Sequence, residues 1–286
     1  MNFSSFHPIV NLIYFIVVIA FSMFVMHPVF IAISVACALL YSIMLKGTKS
    51  LVFSLKVILP MAVISVIINI LTNKNGATPI GEFWGIVISK EALIAGICTA
   101  GVIASAVLWF ACFNAVFTNE KLVYVFGRIM PSLSVILSMV LRFVPQFGAD
   151  FKKTVNAQRS MGRDITKGNL SGRFKTLSLI MSVMLGKTLE GSVETADSMR
   201  GRGYGLKGKT SFNMYNFKLR DFAMLVLVAV ILVYVILNGT GYTYYPVFYM
   251  QFDVPLTFFA FFSLCVIPVI TEVWERLKWK YLISKI

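Results

Sequence analysis

The chain has 286 residues, 58% of them hydrophobic and only 13% charged, with 26 Lys and Arg against 12 Asp and Glu and a pI near 9.7. A soluble domain carries about a quarter charged residues, so a chain this apolar has more oily surface than one water-bounded core can hide. The composition excludes an ordinary soluble globule, and it turns the excess positive charge from a nucleic-acid signal into a candidate marker of the cytoplasmic membrane face.

No Lys or Arg precedes Lys46. That is a poor start for a cleaved signal peptide, so the first apolar segment is expected to stay. The run Ile9 to Leu45 is too long for one span of about 20 residues. It breaks at His27-Pro28, because proline cannot continue a helix interior and its predecessor avoids the helical region. Two helices with a tight turn are therefore predicted. A third span covers Leu51 to Leu71, with Lys56 near its start where it can snorkel to the interface. Thr72 to Lys90 reads as an external loop with an interfacial segment around Phe83-Trp84, and Ala92 to Phe117 as the fourth span.

From Thr118 to Arg220 no run is both long enough and uncharged enough to span comfortably. The best rival, Ile129 to Val144, contains Pro131 and Arg142 and is expected to be partly buried instead. Spans resume at Phe222 to Leu237 and Val254 to Thr271, around a Tyr-rich loop, Gly239 to Asp253, whose aromatics suit the lipid headgroups. The predicted fold is all-α: a polytopic membrane protein of about six spans. Residues 1–116 hold four, residues 117–220 form a cytoplasmic amphipathic segment, and residues 221–286 hold two spans and a basic tail.

The basic residues agree with that map. Seventeen fall in 118–220, three (Lys46, Lys49, Lys56) in or beside the second connection and four (Arg276, Lys278, Lys280, Lys285) in the tail, which leaves Lys74 and Lys90 for the third connection. Six spans with both termini and the long segment inside satisfy the positive-inside rule. Cys37, Cys98, Cys112 and Cys265 all lie in apolar runs and read as small packing residues. His7 and His27 are far apart and give no metal-ligand spacing.

Within 117–220 two amphipathic helices stand out. Phe143, Phe147, Phe151 and Val155 recur every four residues, as do Leu177, Met181, Leu185, Leu189 and Val193, with Ile180 and Met184 widening the second stripe. Each is a core or membrane-facing stripe, and simple packing is expected to absorb both. The first helix closes with Ala157-Gln158-Arg159-Ser160-Met161-Gly162-Arg163 and the second with Ala196-Asp197-Ser198-Met199-Arg200-Gly201-Arg202-Gly203-Tyr204-Gly205, and both contain Ser-Met followed by a Gly and Arg cluster, a short internal repeat. Glycine ends a helix without a Cβ penalty and lets another backbone come close, while arginine pairs bidentately with carboxylate. Two readings stay open: a pair of ordinary C-caps with dipole-friendly cations, or two tips that dock into equivalent acidic grooves.

The run Arg142-Phe143-Val144-Pro145, then Ala157-Gln158, then the ending at Gly203-Tyr204, with Phe117-Thr118-Asn119-Glu120-Lys121-Leu122 before them, resembles the transmembrane T component of energy-coupling factor (ECF) transporters, a family that includes cobalt-transport Q subunits. The resemblance implies a non-enzymatic permease subunit of an ABC-type importer of a vitamin or metal ion, without a cofactor of its own. It implies two coupling helices whose Ala-Arg-Gly ends dock on two ATPase subunits, and a small membrane subunit that captures substrate. The first signature falls on Ser160-Met161-Gly162 and the second on Gly201-Arg202-Gly203. Gly or Ser for Ala is a small departure. Met161 for Arg removes the ion-pair donor, which leaves Arg159 or Arg163 to reach the same carboxylate, and Arg202 as the principal coupling residue beside Arg200. Arg142, Pro145, Ala157 and Gln158 are expected to be structural parts of the segment.

Other chemistry is weaker. Gly203-Tyr204-Gly205-Leu206-Lys207-Gly208-Lys209-Thr210 matches a phosphate-binding loop literally, but such a loop needs a strand before it and a helix after it. Glu190, Glu194 and Asp197 read as a solvated face or as partners for Lys187 and Arg200. A self-sufficient secondary transporter, the principal alternative, should carry ionisable residues at mid-span, and the spans have almost none. A nucleic-acid partner is not expected.

Overall fold

The computed structural model describes residues 3–72, 78–83, 86–166, 169–206, 215–238, 242–243, 249–250 and 255–283. The chain divides into two compact units: residues 1–122 with 215–286, and residues 123–214. The first is a helical bundle. A short turn of 3-10 helix, Phe3–Ser5, leads into α1 (Pro8–Phe24), α2 (Pro28–Lys46), α3 (Thr48–Thr72) and α4 (Lys90–Val116), and α8 (Leu219–Leu237) and α9 (Pro255–Ile283) complete it.

The break between the first two helices lies where the proline requires it. His27 caps α2, its Nδ1 accepting the Val29 amide at 3.3 Å, and Pro28 occupies the first turn. His7 and Pro8 repeat that device at α1, where Nδ1 accepts the Ile9 amide at 3.3 Å. The sequence reading gave neither histidine this role, although both precede proline at the head of an apolar run.

α4 packs against α1, α2 and α3. The core is aromatic: Phe3, Tyr14, Phe15, Tyr41, Trp109 and Phe261 are all fully buried. A polar chain runs through it. Ser22 Oγ lies 2.8 Å from Ser34 Oγ, Ser34 Oγ lies 2.7 Å from Ser105 Oγ, and Trp109 Nε1 donates to Ser34 Oγ at 2.9 Å. Burial away from water makes these mutual bonds the way each polar group is satisfied. Between α3 and α4, a Cβ at Gly96 would stand 3.1 Å from the Val66 Cα, so the small residue permits a close crossing. Ser65 and Asn69 both bond Thr99 there. α3 also exposes Leu55, Leu59, Ile64 and Ile68, a surface fit for lipid.

Two antiparallel hairpins join the helices: β1 (Pro79–Phe83) with β2 (Ile86–Ser89) and β3 (Tyr242–Thr243) with β4 (Tyr249–Met250). They lie in the two stretches read as loops. Trp84 and most of the Tyr-rich loop fall outside the described residues.

The second unit contains the end of α5 (Asn119–Ile129), then α6 (Pro131–Ser160) and α7 (Leu170–Gly201). Among the described residues six helices are long and apolar enough to cross a membrane: α2, α3, α4, α8, α9 and the Ser132–Ser160 part of α6. Five coincide with spans read from the sequence. The expected first span, α1, has 17 residues, about the shortest length that spans a bilayer. α6 departs from the reading: its Ser132–Ser160 part is long and apolar enough to cross a membrane, and Leu133, Ile136, Val140 and Val144 are exposed where partial burial was expected.

Candidate functional site

The tips of α6 and α7 are built alike. At α6 the cap residue is Met161 and the next residue, Gly162, has φ +81°. The Arg163 amide reaches back to the Gln158 carbonyl at 3.0 Å, and the Gly162 amide to the Arg159 carbonyl at 3.0 Å. At α7 the cap is Arg202 and Gly203 has φ +80°. The Tyr204 amide reaches the Met199 carbonyl at 3.0 Å, and the Gly203 amide the Arg200 carbonyl at 2.9 Å. Both are complete Schellman closures, the left-handed residue being glycine because a Cβ would be strained there.

This geometry fixes the register of the repeat. Met161 and Arg202 hold the same position, as do Ser160 and Gly201, Gly162 and Gly203, and Arg159 and Arg200. The Ser-Met pairs that catch the eye, Ser160-Met161 and Ser198-Met199, are not equivalent. The structure aligns the two triplets named from the family pattern, with Met161 at the place of the arginine.

The cations at the two tips differ in what they hold. Arg159 Nε lies 3.2 Å from Asp164 Oδ2, an ion pair across its own cap. Asp164 also accepts the Thr166 amide and hydroxyl at 3.0 and 2.8 Å. Arg163, Arg200 and Arg202 are exposed and pair with no carboxylate among the described residues. Met161 is 70% exposed, an unbranched apolar side chain presented to solvent at the first tip. Gly162 and Gly201 have open space where a Cβ would stand. Open glycine backbone thus lies beside an exposed guanidinium at each tip, at Gly162 in the first and at Gly201 in the second, whereas a Cβ at Gly203 would meet the Leu206 side chain at 3.1 Å.

The supporting residues fall into place behind the tips. The Ala157 and Gln158 carbonyls accept the amides that close α6, and the Gln158 side chain is buried. Phe143 and Phe147 stack at 6.0 Å, and Arg142 and Pro145 lie on exposed parts of α6. Asp150 binds Lys187 at 3.6 Å and Lys153 at 3.9 Å, tying α6 to α7. Glu190, Glu194 and Asp197 are exposed, and Lys187 serves Asp150 rather than any of them.

The α7 stripe is not packed as expected. Leu185, Leu189 and Val193 are about three-fifths exposed, and only Ile180 on that helix is buried. The phosphate-loop match also fails on context: a helix rather than a strand leads into Gly203, and residues 207–214 lie outside the described part. Among the described residues no three His, Cys, Asp or Glu side chains gather around a place for a metal ion.

Residues 4–212 match the family CbiQ, cobalt transport protein. The chain belongs to this family. Similarity also extends to curated relatives. The chain is 33% identical over 90 residues to the energy-coupling factor transporter transmembrane protein of Lactobacillus helveticus, covering 31% of this chain and 32% of that one. It is 33% identical over 104 residues to the protein of the same description from Staphylococcus aureus, covering 35% and 39%. A counterpart from Macrococcus caseolyticus matches over 223 residues at 25% identity, covering 72% and 83%. The chain therefore spans well under half the length of the first two relatives in their matched stretches. As a family member with six long apolar helices, it is a multi-pass membrane protein.

Proposed function

We propose that the chain is the membrane-embedded coupling subunit of an ECF-type ABC importer. It carries the movement of two ATPase subunits to a separate small membrane subunit that captures a vitamin or a transition-metal ion. The observation that supports this most directly is the pair of equivalent caps at the ends of α6 and α7, each presenting glycine backbone beside an arginine. Two like tips suit two like grooves on a pair of homologous motors. Family membership and the relatives' description as energy-coupling factor transporter components point the same way.

In this reading Arg202 enters a carboxylate pair on one ATPase. Arg163 supplies the charge at the other, because Arg159 is already held by Asp164. Chemistry resides on the partners; this chain contributes position and stiffness. The exposed α7 stripe supports a surface awaiting the substrate-capturing subunit, because so long an apolar ridge is otherwise unsatisfied in water. In this reading α6, although its Ser132–Ser160 part is long and apolar enough to cross a bilayer, lies with the rest of residues 117–220 on the cytoplasmic side, as do the N-terminus and the C-terminal tail, in keeping with the placement of Lys and Arg.

The test is co-purification in mild detergent with identification of the accompanying chains, followed by ATP hydrolysis in nanodiscs. Arg202→Glu is expected to lose a motor subunit, since reversing one partner of a buried pair costs at least the roughly 2–5 kcal/mol of truncating it. Normal recovery and normal ATP turnover in that variant would count decisively against the proposal. Labelling of single cysteines placed at residues 163 and 202 from the outside of intact cells would overturn the orientation.

A further inference from the structure

The N-terminal segment Phe3–His7 meets both places where the chain crosses between units. The chain leaves the bundle after Leu122 and returns at Tyr215. On the departing side, Lys121 Nζ donates to the Ser4 carbonyl at 2.7 Å and to the Val116 carbonyl, the last of α4, at 2.9 Å. The Lys121 side chain is 4% exposed. Desolvation pushes its pKa down to about 8, so at neutral pH the ammonium is still largely charged and its bonds to the carbonyls are charge-assisted.

On the returning side, Asp221 is 1% exposed and accepts the amides of His7 at 3.4 Å and Lys218 at 3.0 Å. Arg220 lies 4.6 Å over the Phe6 ring, donates to the Ser5 carbonyl at 3.4 Å and stands 3.8 Å from Asp221. Phe217 meets the His7 ring edge-on at 5.3 Å. The Tyr215 phenol is pushed up in pKa by burial and then by the Glu120 carboxylate. Behind all of this Phe3, fully buried, packs against Phe6, Tyr14, Phe15 and Tyr41.

We infer that Phe3–His7 is a clasp, with Lys121, Arg220 and Asp221 as positioning residues, that binds the departing and returning crossings to one another and to the bundle core. Apolar side chains alone could seal the end of a bundle. Charged groups taken out of water are a demanding way to do so, and what they add is a fixed geometry between named atoms. A displacement carried by the chain at residue 122 or 215 then reaches α4, α8 and the N-terminal turn together. The transmission part of this inference rests on the coupling function proposed above; the clasp itself does not.

Hydrogen–deuterium exchange separates the two. The chain is purified with its co-purifying ATPases in lipid nanodiscs, with and without adenylyl-imidodiphosphate. The nucleotide analogue is expected to change exchange across residues 3–10 by about tenfold. Lys121→Met and Asp221→Asn should each erase that response while retaining the ATPases, and Phe217→Ala, a milder change at a half-exposed residue, should shrink it. A merely structural seal would leave residues 3–10 indifferent to nucleotide, and that result overturns the transmission. If the parent chain retains no ATPase, the coupling function fails and takes transmission with it. The clasp is then judged on nucleotide-free exchange, which Lys121→Met must speed by about tenfold or more because two carbonyls lose their donor. Unchanged exchange overturns the clasp.

Discussion

Along α4 thirteen residues are buried, from Glu91 to Val116; along α7, a longer helix, Ile180 alone is. The same contrast holds for polar groups. In the bundle, Ser34 receives Trp109 and bonds two serines, and Lys121 and Asp221 are bonded out of solvent. In the second unit, Arg163, Arg200 and Arg202 face outward beside an open row of Leu and Val. The first region satisfies these groups within itself, the buried Tyr41 hydroxyl being left without a hydrogen-bond partner among the described residues. The other holds side chains in a defined arrangement that this chain does not complete, which is the property expected of a surface made for other chains.

The contrast can be broken at several strengths. Trp109→Ala should cost the bundle about 3–5 kcal/mol, since a large buried ring is lost and Ser34 loses its indole donor. Thermal unfolding in detergent would measure it, and a loss below about 1 kcal/mol would show the bundle to be less self-contained than described.

Lys121 offers a pH handle. Its pKa falls from 10.5 in the unfolded chain to about 8 in the fold, so between those values the unfolded chain binds more protons. Stability relative to Lys121→Met should therefore rise with pH across that window, by up to about 3 kcal/mol. A flat difference in melting temperature from pH 7.5 to 9.5 (roughly the accessible part of the window) would contradict the buried charge.

Met161→Arg gives the first tip the side chain of the second. It is expected to tighten ATPase association by about 0.2–1 kcal/mol, read as a shift in binding isotherm. Smallest of all, Leu189→Ser should leave the stability of the isolated chain within about 0.5 kcal/mol, because the side chain is 66% exposed. A larger drop would mean that the α7 stripe is packed after all.

Much of this was legible beforehand. Five spans follow from apolar length, the α1–α2 break from Pro28, and the two glycine-closed helix ends from Gly162 and Gly203. The equivalence of Met161 and Arg202 agrees with the family triplets, whereas bare self-similarity pointed to the Ser-Met pairs. What escaped was long-range. Nothing near Lys121 in the sequence announces Ser4, 117 residues away, and nothing near Asp221 announces His7, 214 residues away. Pro131 and Arg142 mislead in the other direction: they argue against a span over Ile129 to Val144, whereas α6 begins at Pro131, contains Arg142 and from Ser132 to Ser160 is long and apolar enough to cross a membrane. The exposed α7 stripe was unreadable for a simpler reason, since a periodic pattern marks a face for burial without saying which chain buries it.

The serine chain in the bundle has a consequence for how the protein is made. A slip of one residue along α4 would turn Ser105 by about 100° and carry it away from Ser34, while a neighbouring apolar residue took its place. Lipid cannot supply the lost partner. Three hydroxyls and one indole therefore add a directional constraint on the alignment of α1, α2 and α4 to the shape fit of their aromatic and small apolar side chains. Drift of the surrounding apolar residues over evolutionary time is then tolerable, provided that this small ratchet keeps its teeth.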